Sequence, residues 1–234
     1  RAKGLKEERS RSFNASVDWY HYFGDFQANL LVEGFYTKLS DPFVLTPPVK
    51  DPDGSAYLIQ TRINGSGAKV YGGTLEGKVA YKDKVQLQAG LTLQRSIYDS
   101  PEEWSADEEK ERYSDKILRT PDVYGYFTAT YMPVKAFSIA LNGNYTGRMY
   151  VPHLLSEVNG EADVLVKSPD FFELGTKIAY DFDFQGFCLQ LNAGVQNIFN
   201  SYQKDFDKGA SRDSGYIYGP GAPRSYFAGV KLSF

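Results

Sequence analysis

Val85-Gln86-Leu87-Gln88-Ala89-Gly90-Leu91-Thr92-Leu93-Gln94 alternates apolar and polar residues without a break. Successive residues of an extended strand point to opposite faces, so Val85, Leu87, Ala89, Leu91 and Leu93 share one apolar face and the rest a polar one. The same period of two runs through Phe13, Ala15, Val17 and Trp19, and through Phe137, Ile139, Leu141, Gly143 and Tyr145. It returns in Phe187, Leu189, Leu191, Ala193 and Val195, and in Tyr226, Ala228, Val230, Leu232 and Phe234. No comparable stretch repeats every 3.6 residues. The predicted class is all-β, with nine strands over 11–23, 26–39, 67–81, 84–98, 122–132, 136–148, 171–182, 187–197 and 224–234.

Composition agrees and narrows the choice. The 234 residues fit one or two domains, and 18 Tyr with 16 Phe against 2 Met favour strands. A net charge of −3 supplies no basic field for nucleic acid. A mean hydropathy of −0.42 and the lack of an 18-residue apolar run exclude a transmembrane helix. They leave a transmembrane β-barrel open, because alternating strands average to mild hydrophilicity. A single cysteine, Cys188, excludes an internal disulfide framework and any paired-cysteine metal site. The chain opens Arg1-Ala2-Lys3-Gly4 without an initiating Met, which reads as a mature or truncated piece.

The predicted strands run to about 11–15 residues, enough to cross a bilayer at a tilt. Short connections at 23–25, 82–84, 133–135 and 183–186 alternate with long ones at 40–66, 99–121, 149–170 and 198–223. Short turns on one side and long loops on the other mark an outer-membrane barrel, with the turns periplasmic and the loops extracellular. All eleven prolines are read as falling in connections or at strand ends. Nine antiparallel strands leave the first and last parallel, so they cannot close on each other, and a bilayer tolerates no open sheet edge. The expectation is therefore part of a larger barrel.

Gln196-Asn197-Ile198-Phe199-Asn200, then Tyr218-Gly219-Pro220, then Pro223-Arg224-Ser225-Tyr226 running on to Phe234, is similar to the C-terminus of the TonB-dependent outer-membrane receptor family. Asn64-Gly65-Ser66-Gly67-Ala68 and Arg119-Thr120-Pro121 look like two of its strand starts, although Gly73-Thr74 departs from its usual Glu or Val-Glu. The resemblance implies an antiparallel barrel of about 22 strands with a plugged lumen. Residues 1–234 would be its C-terminal portion, with the plug and earlier strands lying outside this sequence. It implies a receptor, not an enzyme, that imports a siderophore, cobalamin, another metal chelate or a glycan across a Gram-negative outer membrane. Its partners would be TonB through the plug, outer-membrane lipid and the barrel-assembly machinery, which would read Tyr226 and Phe234 as the assembly signal. Two alternatives stand beside it: a passive porin or other small barrel, and a soluble β-rich binding protein.

Candidate ligand contacts lie in the long loops: Trp104, Arg148, Tyr150, His153, Tyr202, Arg212 and Tyr218, with Tyr216 beside them. The aromatic residues would stack on a solute, and Arg148, His153 and Arg212 would suit an anionic one. The acidic run Glu102–Glu111 reads as a solvated loop or a short helix. Asp205-Phe206-Asp207 echoes a calcium loop without its terminal Glu, and Asp51-Pro52-Asp53-Gly54 reads as a turn. His21 and His153 lie on strand and loop at opposite ends, too far apart for a hydrolytic centre. No cofactor, metal or catalytic residue is expected, and Cys188 is read as a lumen-facing thiol packed against the plug.

Overall fold

The computed structural model describes residues 4–46, 49–50, 58–105, 112–156 and 158–234. In chain order the strands are β1 (Arg9–Phe23), β2 (Phe26–Ser40), β3 (Phe43–Leu45), β4 (Val49–Lys50), β5 (Leu58–Ile59), β6 (Arg62–Asn64), β7 (Ala68–Tyr81) and β8 (Val85–Glu103). They continue as β9 (Tyr113–Lys116), β10 (Val123–Val134), β11 (Phe137–Thr146), β12 (Tyr150–His153), β13 (Val164–Lys167), β14 (Phe171–Phe184), β15 (Phe187–Gln196) and β16 (Ser225–Ser233). One sheet runs β1-β2-β7-β8-β10-β11-β14-β15-β16, with β9 paired to the outer end of β8. Its nine long strands are those expected from the alternation, and every neighbouring pair is antiparallel.

The register brings the apolar parities of all nine strands onto one face. Val17, Val32, Leu75 and Leu91 form one cross-strand row, and Leu141, Thr176 and Val195 belong to the same face further along. This face is the convex one: on β2, Leu30, Val32, Gly34 and Tyr36 are exposed while the intervening residues are half-buried. The concave face is polar. Tyr126 donates to Glu76, Gln88 donates to the Tyr126 hydroxyl at 2.8 Å, and Lys78 pairs with Glu76 at 3.0 Å. Polar inside and apolar outside is the inversion that a bilayer demands.

Two aromatic bands bound the apolar face. At the short-turn end Trp19, His21, Phe23, Phe26 and Tyr81 stack in sequence, with centroid separations between 4.6 and 5.7 Å. At the loop end Tyr36 meets Tyr71 at 6.5 Å, and Phe127 meets Phe172 at 6.4 Å. From Phe26 to Tyr36 is ten residue steps, which at ~3.3 Å each and a tilt of about 40° gives about 25 Å, the height of a hydrocarbon band. Tyr20 and Tyr22 take the other parity and face the concave side with Asn29 and Gln27.

Gly24, with φ 61°, opens a two-residue turn to Asp25 that suits the right-handed twist of a hairpin. The proline expectation needs correction. Pro133 lies within β10 at a register shift between Tyr131 and Val134, Pro101 lies in β8 within the register shift between Ile97 and Glu102, and Pro152 lies in β12 opposite Leu165. Irregular and edge pairings release the donor that a regular ladder would require, so proline is tolerated there. The long connections also carry strands of their own: β3 with β6, β4 with β5, and β12 with β13. Ala106–Glu111 and Asp51–Gly54, read as acidic loop and turn, lie outside the described residues.

The sheet does not close. Among the described residues β1 and β16 each have a strand on one side only, and the odd number of antiparallel strands makes them point the same way.

Candidate functional site

Above the loop end of the sheet, three of the long connections pack into one body. Strand alternation in and around β12 sorts its side chains. Met149 and Val151 turn inward, where Val151 is fully buried against Phe171, Tyr216 and Tyr218. Arg148 and Tyr150 point the other way. His153 follows the Val151 parity and stacks on Tyr216, with centroids 3.8 Å apart and planes within 10°. In the 198–223 connection Tyr216 and Tyr218 turn inward while Ile217 between them is exposed. The Gln203 side chain clamps this segment, donating to the Tyr216 carbonyl at 3.0 Å and accepting from the Tyr218 amide at 2.8 Å.

Four aspartates and one arginine lock the body. Asp205 accepts both buried phenols, Tyr216 at 3.0 Å and Tyr218 at 2.7 Å. Asp207 bonds His153 Nε2 at 2.8 Å and accepts the Asp213 amide at 3.0 Å. Asp213 in turn accepts the Leu154 amide at 2.8 Å. Asp163 accepts from Leu155, Ser156 and the Ser105 hydroxyl between 2.6 and 2.8 Å. Arg119 reaches across to the carbonyls of Ile217 at 2.7 Å and Gly215 at 2.6 Å. Both carboxylates of the calcium-like stretch therefore serve internal bonds, and no cluster of three metal-ligating side chains occurs among the described residues.

These bonds shift the acids. Desolvation alone would raise Asp205 and Asp163, but bonds from Tyr218 and Tyr216, and from Ser105, Ser156 and Leu155, outweigh it and hold both below the ordinary carboxylate range. The bond to His153 lowers Asp207, and burial raises the phenols of Tyr216 and Tyr218. An acid whose folded pKa is depressed contributes stability above its unfolded pKa, near 3.9 for Asp, and loses it as pH falls through the folded value. The loop body is expected to stay closed at pH 7 and to open between about pH 4 and pH 2, while the sheet persists. Pepsin cleavage within 149–170 and 198–223 over that window measures it, and resistance maintained to pH 2 would contradict the assignment.

The candidate ligand residues fall into three groups. Trp104 and Tyr150 line one groove, of about 480 Å³, with Lys116 between them. Tyr150, Lys116, Arg148 and Lys167 line an adjoining groove of about 490 Å³, at whose base the buried Ser96 hydroxyl has no hydrogen-bond partner among the described residues. Lys167 stands opposite Tyr150 in the β12–β13 ladder, its ammonium 5.9 Å from the ring centroid. Tyr202 and Arg212 line a separate groove of about 460 Å³, to which Tyr218 also contributes. His153 belongs to the packed wedge between, and the wedge holds Tyr218 at 6% exposure.

Lys116 and Lys167 carry no signal in the sequence, because the 99–121 and 149–170 connections show no strand period there. Nor does the sequence mark Arg119 as a lock. The one signal there was its place in Arg119-Thr120-Pro121, where Arg119 takes φ 59°.

The last motif has a mechanical explanation as well. Asn197, with φ 49°, accepts the Ser201 amide at 2.8 Å and donates to the carbonyls of Ser201 and Ala222 at 2.9 Å each. Asn200, with φ 55°, accepts the Arg224 amide at 2.9 Å. The exit of β15 is thereby tied to the start of β16. The sequence profile of the "TonB dependent receptor-like, beta-barrel" family matches residues 1–198.

The chain belongs to the TonB-dependent receptor β-barrel family.

Solved structures place this receptor segment in the same fold. The ferric-catecholate import receptor Fiu of E. coli K12 is 18% identical, over 99% of this chain and 28% of that one, with a TM-score of 0.63. FpvA of P. aeruginosa is 14% identical over 98% and 28%, with a TM-score of 0.63. The FrpB iron transporter of Neisseria meningitidis is 17% identical over 98% and 32%, with a TM-score of 0.57. At these identities the likeness is one of fold. The segment spans 28–32% of these receptors. A search of curated protein sequences returned no match. TonB-dependent receptors are transporters and receptors of the Gram-negative outer membrane rather than enzymes.

Proposed function

We propose that this segment is the C-terminal portion of a plugged barrel that imports a scarce solute across a Gram-negative outer membrane. The solute is a siderophore, another metal chelate, a cobalamin or a glycan, and TonB acting on an N-terminal plug supplies the energy. The observation that carries the reading is the pairing of an apolar wall about 25 Å tall with a rigid, locked loop body at one rim only. The open edges at β1 and β16 call for further strands, since the bilayer leaves no unpaired backbone group satisfied. The polar concave ladder at Glu76, Lys78, Gln88 and Tyr126 suits a polar domain filling the lumen, and half-buried Cys188 lies on that face. In this reading Tyr226 on the edge strand β16 and Phe234 just past its end, at 73% and 99% exposure, are the residues that the barrel-assembly machinery would read.

The joined grooves around Tyr150 are the ligand-contact surface in this reading. Trp104 and Tyr150 offer faces for stacking, and Lys116, Lys167 and Arg148, the last 3.7 Å from Asp170, are the cations an anionic solute would meet beside the groove acids Asp115, Asp122 and Asp170. Tyr202 and Arg212 form a second contact, and His153 with Tyr218 supports both from behind. A strain whose only receptor of this class is the complete protein tests it with a panel of ferric siderophores, cobalamin and glycans. Growth on one of them is expected to vanish when TonB is deleted, and growth that survives would leave a passive barrel. Against that solute, Arg148→Gln with Tyr150→Ala is expected to weaken binding roughly tenfold to a hundredfold at unchanged outer-membrane level, from a lost charge-assisted bond and a lost ring face.

A further inference from the structure

At the loop end β8 outruns its neighbour. β10 begins at Val123, opposite Leu93, and beyond that point residues 117–122 lie beside β8. Ile117 donates its amide to the Ser96 carbonyl at 3.3 Å, and the Gln94 side chain donates to the Pro121 carbonyl at 3.0 Å. Two hydroxyls on the same parity of β8 then meet different surroundings. Thr92 stands opposite Thr74 and shares a hydrogen bond with its hydroxyl at 2.9 Å. Ser96 stands opposite Val70, which offers no polar side-chain atom, and its hydroxyl is buried without a partner among the described residues. Ser96 is 5% exposed. A buried hydroxyl is disfavoured unless something supplies its hydrogen bond. Ser96 lines the groove shared by Arg148, Tyr150 and Lys167, so a group that enters the groove can supply it.

The chemistry around Ser96 selects what enters. The two grooves that meet at Lys116 and Tyr150 are lined by three cations, Lys116, Arg148 and Lys167, and three acids, Asp115, Asp122 and Asp170. Their charges cancel, so no net field draws an anionic chelate. A dense alternation of donors and acceptors remains. Arg148 and Asp170 stand 3.7 Å apart, where one of two adjacent hydroxyls can accept from the guanidinium while the other donates to the carboxylate. Trp104, Tyr113 and Tyr150 border the outer groove, and their flat apolar faces suit the C–H side of a sugar ring. At about 480 and 490 Å³, each groove lies in the range that small ligands fill. The β9 edge beside the outer groove spans 4 residues, short for the added strand through which a peptide would bind.

We propose that these grooves bind a neutral oligosaccharide, with Ser96 holding one of its hydroxyls at the base. Sugar rings stack on Trp104 and Tyr150, and adjacent hydroxyls bridge Arg148 and Asp170. The site rests on the receptor reading of the loop grooves and narrows its solute to an uncharged glycan. Ser96 is the specificity-determining residue, because its hydroxyl can donate or accept as a sugar hydroxyl can.

The complete receptor, purified in dodecyl maltoside, is applied to an array of neutral, acidic and basic glycans, with ferric enterobactin and casein peptides titrated beside it. Neutral glycans are expected to bind with affinity unchanged between about 0.05 and 0.5 M salt, whereas binding of an anion by the three cations would weaken steeply. Ser96→Ala is expected to weaken glycan binding about tenfold or more while melting at or above the wild-type temperature, because the unbound protein loses only an unpaired hydroxyl. Wild-type affinity or a lowered melting temperature in that variant overturns the role of Ser96. An array silent for neutral glycans, with or without binding of the chelate or the peptides, overturns the neutral class whatever the variant does. Deletion of TonB separates the two readings. Growth on the bound glycan that survives the deletion overturns the receptor reading, whereas TonB-dependent growth on ferric enterobactin with a silent array overturns only the glycan site.

Discussion

An Asn197→Ala receptor is expected to reach the outer membrane at a tenth of the wild-type level or less. Asn197 is 5% exposed and takes φ 49°, a left-handed conformation that asparagine tolerates and alanine resists by about 1 kcal/mol or more. Its amide makes three hydrogen bonds, and the carbonyls of half-buried Ser201 and exposed Ala222 would each lose a donor. Each of the three bonds is worth about 0.5–1.5 kcal/mol where water reaches the partners, so with the backbone strain the change removes roughly 3–5 kcal/mol from the joint that seats β16 against β15. Heat-modifiable migration of outer-membrane fractions measures the folded amount. Asn197→Asp keeps the backbone preference and the acceptor but loses both donations, so it should fall between. Wild-type yield from the alanine variant would mean that β16 docks without this joint.

Gly219→Val is expected to release the 198–223 connection without disturbing the sheet. Gly219 sits at φ 82°, and a Cβ there would lie 2.5 Å from Cζ of Phe171, itself 4% exposed in the centre of the wedge. Backbone strain and overpacking together cost about 2–5 kcal/mol. At roughly 3 kcal/mol, trypsin cleavage after Lys204, Lys208 and Arg212 should accelerate on the order of 100-fold, because cleavage follows the open population. Gly221→Val is the matched control, since a Cβ at Gly221 meets nothing within 4 Å and its φ is not positive. Equal cleavage of the two variants would show that Phe171 does not hold this connection. If the grooves owe their shape to the locked body, the same Gly219 variant also weakens solute binding.

Loss of Asn197 and strain at Gly219 act on different joints of one device. The first ties strand exit to strand start, and the second ties the connection to the wedge around Val151. Family resemblance picked out both segments, Gln196–Asn200 and Tyr218–Pro220, but only as signatures. Their physical content is a left-handed asparagine bridging two carbonyls and a glycine beneath a phenylalanine ring.

The wall of the barrel was legible in the chain itself. A strand buried on one face by lipid and wetted on the other must alternate, and Val85–Gln94 or Phe187–Gln196 can satisfy that demand in only one register, since a slip of one residue would turn every side chain to the wrong medium. The turn at Gly24-Asp25 and the asymmetry of connection lengths needed no further information. The grooves were not legible. Tyr150 and Lys167 lie seventeen positions apart and meet through a short ladder between β12 and β13, while Arg119 meets Ile217 across ninety-eight positions. Short irregular strands carry too few residues to show a period, and locks of this kind depend on which loops touch. Nor did sequence alone separate Arg148 and Tyr150 from His153, or set Ser96 opposite Val70. Alternation assigns each residue to a face; only cross-strand register and loop packing decide which residues become neighbours on it.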